Sequence, residues 1–346
     1  PEGLTTIGAY AFSDFTALED VILPDGLKEI GDYAFYQCRK LKSVEIPETV
    51  TQIGYEAFEE CISLESLRLP DSLVEVQWGL VWGCESLKSI YIPNSVDFRQ
   101  IDLSSCTSLM TVELASDNPN YISEDGVVYD REKSTVFYVC KGLVSVSVPE
   151  GVTKIASSAF NGCTVLSQVE LPESLREIED YAFGGCTELY DLTIPAGVTG
   201  IGFGILNDTG WYEEQPNGFL VKAECLVGCK GPFPLEFQIP YGVRVLGKCF
   251  QSWDAPPIQN VYIPGTVKCI SPNCFSSVQT LKSVYVEEGV EEIGTYAFSW
   301  CRALESISLP SSLKSVGYGI VYGCDNLKSF SVEAGNPVLS SSGGVV

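Results

Sequence analysis

Apolar residues follow two different spacings along this chain, and the two alternate. In Ile30 to Pro47, IGDYAFYQCRKLKSVEIP, the closing KSVEIP places Val44 and Ile46 two apart, the spacing of a strand with one buried face. In the same stretch Phe35 and Cys38 lie three apart, as on one helical turn. The pattern returns as IGYEAFEECISLESLRLP ending at Pro70, IEDYAFGGCTELYDLTIP ending at Pro195 and IGTYAFSWCRALESISLP ending at Pro310. Thirteen strand pairs can be read in this way, from Val21/Leu23 to Phe330/Val332. Proline closes most of these strands, because it has no N–H for the next ladder bond. A second apolar pair follows, as in Val50 and Ile53, and predicts another brief strand or turn. Gly54 then lets the chain bend.

The period is fixed. Cysteines fall at 38, 61 and 84, and 61 − 38 = 84 − 61 = 23; they recur 23 apart at 163 and 186, and at 301 and 324. A period in the twenties with leucines in an LxxVxI frame is the mark of a leucine-rich-repeat solenoid. One such unit cannot bury its apolar face alone, so copies must stack. The expected fold is therefore an α/β, right-handed solenoid with a parallel strand ladder and short α or 3-10 turns on its convex side. A column of phenylalanines (Phe12, Phe35, Phe58, Phe160, Phe183, Phe250, Phe275, Phe298) is the expected spine of the core. Residues 1–346 are read as a single solenoid domain. The repeat is interrupted near 116–142 and 207–231 by predicted β-hairpins, and a third, truncated one is expected at 334–346. Between 196 and 260 the unit is broken and carries extra prolines. The opening PEGLTTIG matches PDGLKEIG at Pro24, so a longer protein is expected on both sides.

Charge and composition narrow the function. The net charge is 21 − 45 = −24, which disfavours nucleic acid and anionic membranes, since both need clustered Lys and Arg. No apolar run approaches the ~18 residues of a membrane span. The chain has no histidine, which removes His-based triads, His zinc ligands and the usual general base.

The repeat IGxxAFxxCxxLxxVxIP resembles that of BspA-like leucine-rich-repeat surface proteins, as do the inserts with NPxYxSxDGVVY. The resemblance covers nearly the whole chain. It implies a secreted or surface-anchored bacterial protein that adheres to a host or neighbouring-cell protein or glycan. The expected function is non-catalytic recognition; the alternative is a spacer arm of a larger surface protein, and a carboxylate-based glycosidase is least favoured, because no acidic pair stands out from the repeat. No cofactor is expected.

Fourteen cysteines could suggest disulfides or metal. Ten occupy one slot of the repeat, where stacked side chains run parallel and cannot face each other across a bridge. They are expected to be buried free thiols. Cys225, Cys249, Cys269 and Cys274 lie outside that slot. Cys225 and Cys229 (CxxxC) with Cys249 and Cys274 could make a four-thiolate zinc site, but the spacing is not that of a known ribbon or finger, and no metal site is expected. The residues between the inward pairs should line the concave face. Tyr262 and Tyr285 are 285 − 262 = 23 apart and should stack as an exposed aromatic pair. With Glu45, Arg68 and Tyr91 in the same column, they are the candidate ligand-binding residues.

Overall fold

Each coil begins with a short strand whose apolar residues point inward. Val44 and Ile46 are buried while Glu45 between them is exposed, which is the alternation that one buried face demands. A computed structural model describes residues 3–231, 238–250 and 258–339. Of the thirteen strand pairs expected, eleven carry a strand. Leu192 and Ile194 are buried without one, just before the repeat breaks into a short helix and a hairpin. Phe237 lies outside the described residues.

The chain divides into two compact units. The first comprises Pro1–Val146 with Gly162–Gln168 and Cys186–Glu188; the second comprises Ser147–Asn161, Val169–Gly185 and Leu189–Val346. In the first unit the strands Asp20–Ile22, Ser43–Glu45, Ser66–Arg68, Ser89–Ile92 and Thr111–Leu114 pair in parallel, in chain order. A second column of two-residue strands runs through Thr6–Ile7, Glu29–Ile30, Gln52–Ile53 and Glu75–Val76. In the second unit the equivalent columns are Asn260–Ile263, Ser283–Val286, Ser306–Leu309 and Ser329–Val332, and Val245–Leu246, Cys269–Ile270, Glu292–Ile293 and Ser315–Val316. The register advances by 23 residues along most of these ladders, as in Val44 against Leu67 and Val284 against Ile307.

The phenylalanine column is the spine. Phe35 is fully buried, with its ring stacked on Phe12 at 5.2 Å and on Phe58 at 5.3 Å. In the second unit Phe275 stacks on Phe250 at 4.4 Å and on Phe298 at 5.4 Å.

The expected helical turns do not form. Among the described residues, helix is confined to the 3-10 turn Phe98–Gln100 and the α-helix Gly210–Glu214, so the chain is a parallel β-solenoid and the α/β label fits it only loosely. The reason lies in two left-handed residues per coil, four positions apart. Tyr33 and Gln37 have φ of 55° and 56°, Glu56 and Glu60 of 51° and 53°, and Tyr296 and Trp300 of 57° and 58°. A right-handed helix cannot pass through them. The backbone between them divides its donors instead. Ala34, Tyr36 and Cys38 close tight turns onto Gly31, Tyr33 and Phe35, whereas Tyr33, Phe35 and Gln37 donate to the next coil at Tyr55, Ala57 and Glu59. This makes a third inter-coil ladder out of a segment whose composition suggested helix.

The two insertions are antiparallel. Val127–Asp130 pairs with Thr135–Val139, and a further strand, Tyr121–Glu124, joins on the other side. Gly218–Lys222 pairs with Cys225–Lys230, which continues in parallel onto Val245–Leu246. The proposed third hairpin falls largely on 340–346, outside the described residues.

All fourteen cysteines are free thiols, and all but Cys229 and Cys324 are buried. Their slot has a specific role. The Cys38, Cys61 and Cys84 sulfurs donate to the carbonyls of Phe12, Phe35 and Phe58, each 26 residues upstream, at 3.1–3.2 Å. Cys301 and Cys324 do the same to Phe275 and Phe298 at 3.1 Å. The thiol is thus a small core residue that also satisfies a buried carbonyl. Burial pushes the Cys38 thiol up to about 11 and the Cys106 thiol up to about 12. A thiol reagent is expected to count close to fourteen sulfhydryls in denaturant and to react only slowly with the native chain. A count near zero in denaturant would contradict the free-thiol assignment.

Candidate functional site

The outward column of the first unit brings Glu45, Arg68 and Tyr91 into one row, because Glu45 pairs with Arg68 and Arg68 with Tyr91 across adjacent strands. Arg68 does not point freely into solvent. Its guanidinium carbon lies 3.8 Å from the centre of the Tyr91 ring, Nη2 is 3.5 Å from Asp71 Oδ2, and Nε is 3.9 Å from Glu48 Oε1. The Tyr91 hydroxyl donates to Asp71 Oδ1 at 2.7 Å. Burial, and then the Asp71 carboxylate, raise its pKa. Arg68 and Tyr91 therefore hold each other, a cation–π contact closed by a shared carboxylate. Glu45 stands exposed one strand away. A cleft of about 540 Å³ opens beside Tyr91, lined also by Asp71, Asn94 and Asp117, the last two hydrogen-bonded to each other.

Tyr262 and Tyr285 belong to the second unit. They pair across adjacent strands, and their rings stack at 5.6 Å with planes 10° apart. Both remain about half exposed. The Glu287 carboxylate raises the pKa of the Tyr262 phenol by hydrogen bonding to it, and Glu287 Oε2 accepts from the Gly265 N–H at 2.8 Å. On one side of the pair lies a cleft of about 810 Å³, lined by Tyr262, Tyr241, Pro240, Pro264, Thr266 and Glu287 among others. Tyr241 is 95% exposed. No periodic signal singles out Tyr241, because it lies where the repeat is broken.

A second set of rings, exposed or half-buried, lies on the turn face. In the second unit Trp300 and Tyr322 meet edge to face at 5.2 Å, and Tyr296 meets Tyr318 at 5.6 Å. In the first unit Tyr10 stacks on Tyr33 at 4.8 Å. The glycines between coils make room for these rings. A Cβ at Gly323 would come within 2.5 Å of the Trp300 ring. The available signal was the recurrence of Tyr before Ala-Phe at positions 10, 33, 181 and 296. Among the described residues, no group of three or more His, Cys, Asp or Glu side chains is arranged to hold a metal ion. Among the same described residues, no helix is long and apolar enough to cross a membrane.

A stack of parallel coils with a 23-residue step and a leucine, phenylalanine and cysteine core defines a leucine-rich-repeat solenoid. The chain belongs to the BspA type leucine rich repeat family, whose model matches residues 1–125, 133–213 and 244–342 in six copies. The two gaps fall on the antiparallel insertions. Among solved structures, the chain is similar to a leucine-rich repeat protein from Eubacterium ventriosum, with 19% identity, a TM-score of 0.46, and coverage of 100% of this chain and 85% of that one. It is similar to a leucine rich cell surface protein from Faecalibacterium prausnitzii, with 22% identity, a TM-score of 0.41, and coverage of 98% and 80%. It is also similar to the pneumococcal vaccine antigen PcpA, with 20% identity, a TM-score of 0.45, and coverage of 91% and 67%. No curated protein matches the sequence.

Proposed function

We propose that this chain is a non-catalytic recognition module of an extracellular or cell-surface protein, holding a protein or glycan partner on the outward face of its strand ladder. The observation that carries this reading is the stacked, half-exposed pair Tyr262 and Tyr285. Exposed aromatic rings fixed by a rigid sheet contribute contact area at little entropic cost, which makes them common anchors at interfaces. Family membership supports the surface location, since the repeat is that of BspA-type proteins. Tyr91, braced by Arg68 and Asp71, and the nearby Glu45 offer a second polar-aromatic row of the same kind.

The test is a protein and glycan binding array probed with the whole chain. Saturable binding is expected, and the double variant Tyr262→Ala, Tyr285→Ala is expected to weaken it at least tenfold without lowering the melting temperature. Binding that survives the double variant would place the partner elsewhere. A chain that binds nothing on either array would favour the spacer-arm reading.

A further inference from the structure

Resting on the recognition reading above, we propose that the cleft beside Tyr262 is a saccharide subsite that takes one or two pyranose units of a neutral glycan. The Tyr262 ring has two faces, and one is covered by Tyr285 at 5.6 Å. Tyr262 lines the cleft and Tyr285 does not, so the uncovered face is the one that opens into it. Tyr241 supplies a second, almost fully exposed ring to the same space. Paired aromatic surfaces around a cleft of about 810 Å³ suit the flat C–H face of a pyranose, and the volume lies within the usual range for small ligands.

The polar groups fit the hydroxyls of such a ring. Glu287 is held ionised by the Gly265 N–H and the Tyr262 hydroxyl, which keep its carboxyl below the ordinary range. It is an acceptor for sugar O–H groups, and Gln238 adds an amide that both donates and accepts. None of the described lining residues is Lys or Arg, and the chain carries −24. Sialylated, sulfated and phosphorylated ligands are therefore disfavoured. Strand addition by a peptide is disfavoured too, because Pro240 and Pro264 offer the cleft no backbone N–H.

Saturation-transfer NMR with cellobiose, lactose and N,N′-diacetylchitobiose tests this, with 3′-sialyllactose and a proline-rich peptide as contrasting probes. Saturation is expected on the ring C–H protons of at least one neutral disaccharide. Tyr262→Ala and Tyr241→Ala, each at an exposed position, are expected to weaken that binding at least tenfold while leaving the melting temperature unchanged. The sialylated probe is expected to bind more weakly than lactose. The subsite is overturned if none of the neutral disaccharides binds, or if both variants bind them as the parent does. Tyr262-dependent binding of the peptide alone would remove the glycan assignment and leave the recognition reading intact. Loss of every ladder-face partner on the arrays would remove that reading itself.

Discussion

Truncating Phe35 to alanine is expected to lower the stability of the first unit by about 3–5 kcal/mol. The ring is fully buried and sandwiched between Phe12 and Phe58. Its neighbours cannot move in to fill the space, because the coils on both sides are pinned. Phe12 N donates to Ala34 O, Phe35 N donates to Ala57 O, and the strands above and below are in fixed register. A cavity that cannot collapse carries both the lost transfer energy and the lost contacts. Phe35→Leu keeps most of the volume and should cost about 1–1.5 kcal/mol. Urea titration followed by circular dichroism measures both. A loss under about 1 kcal/mol for the alanine variant would mean that the stacked rings are not the spine of the core.

The second large effect concerns Glu59. It occupies the position after Phe58, where the repeat places residues as different as Tyr36, Asn161 and Ser299. Only 8% of it is exposed, and its Oε2 has no hydrogen-bond partner. Burial first, and then a hydrogen bond that the protonated group donates to the Glu56 carboxylate and the charge repulsion of that carboxylate, push its carboxyl up from 4.5 to about 8. Folding therefore favours the protonated form. Between pH 4.5 and 8 the folded chain holds a proton that the unfolded chain releases, so stability falls as pH rises through that window. Glu59→Gln keeps the shape and a permanent N–H toward Glu56. It should stabilise the chain by about 1–3 kcal/mol at pH 8.5, the scale of an unsatisfied buried polar group, and should flatten the pH dependence. Melting curves of the parent and the variant at pH 5.5, 7 and 8.5 report the difference. Parallel pH profiles for the two proteins would show that Glu59 is ionised throughout, or well solvated.

The strand ladder and the phenylalanine spine could be read from the sequence because both rest on burial, which leaves a repeating apolar letter at a fixed step. The turn segment could not. Its conformation is set by φ at Tyr33, Glu56, Ser158 and Tyr296, and none of these residue types announces a left-handed backbone as glycine would. The strand Tyr121–Glu124 was missed for a related reason: it sits in a segment rich in Asn, Ser and Asp, whose turn chemistry masks the pairing. Of the candidate site, the stacking of Tyr262 on Tyr285 followed from the period alone. The bracing of Arg68 by Tyr91 and Asp71 did not, because a cross-strand neighbour fixes proximity but not which side chain folds over which. Tyr241 and the Trp300 cluster lie outside the strand column altogether.

The left-handed positions have a consequence for how such a chain can change. A residue other than glycine in that backbone region costs about 1–2 kcal/mol, and the coils hold Tyr10, Tyr33, Glu56, Ser158, Tyr181, Asn273 and Tyr296 there, while Gly79, Gly204 and Gly319 fill the same position elsewhere. Uniform glycine would give a tougher polymer of coils with a bare outer skin. The strain is spread over many copies, each free to swap its displayed group without disturbing the interior. Variation at this position therefore alters what the molecule shows to its surroundings while the scaffold stays the same.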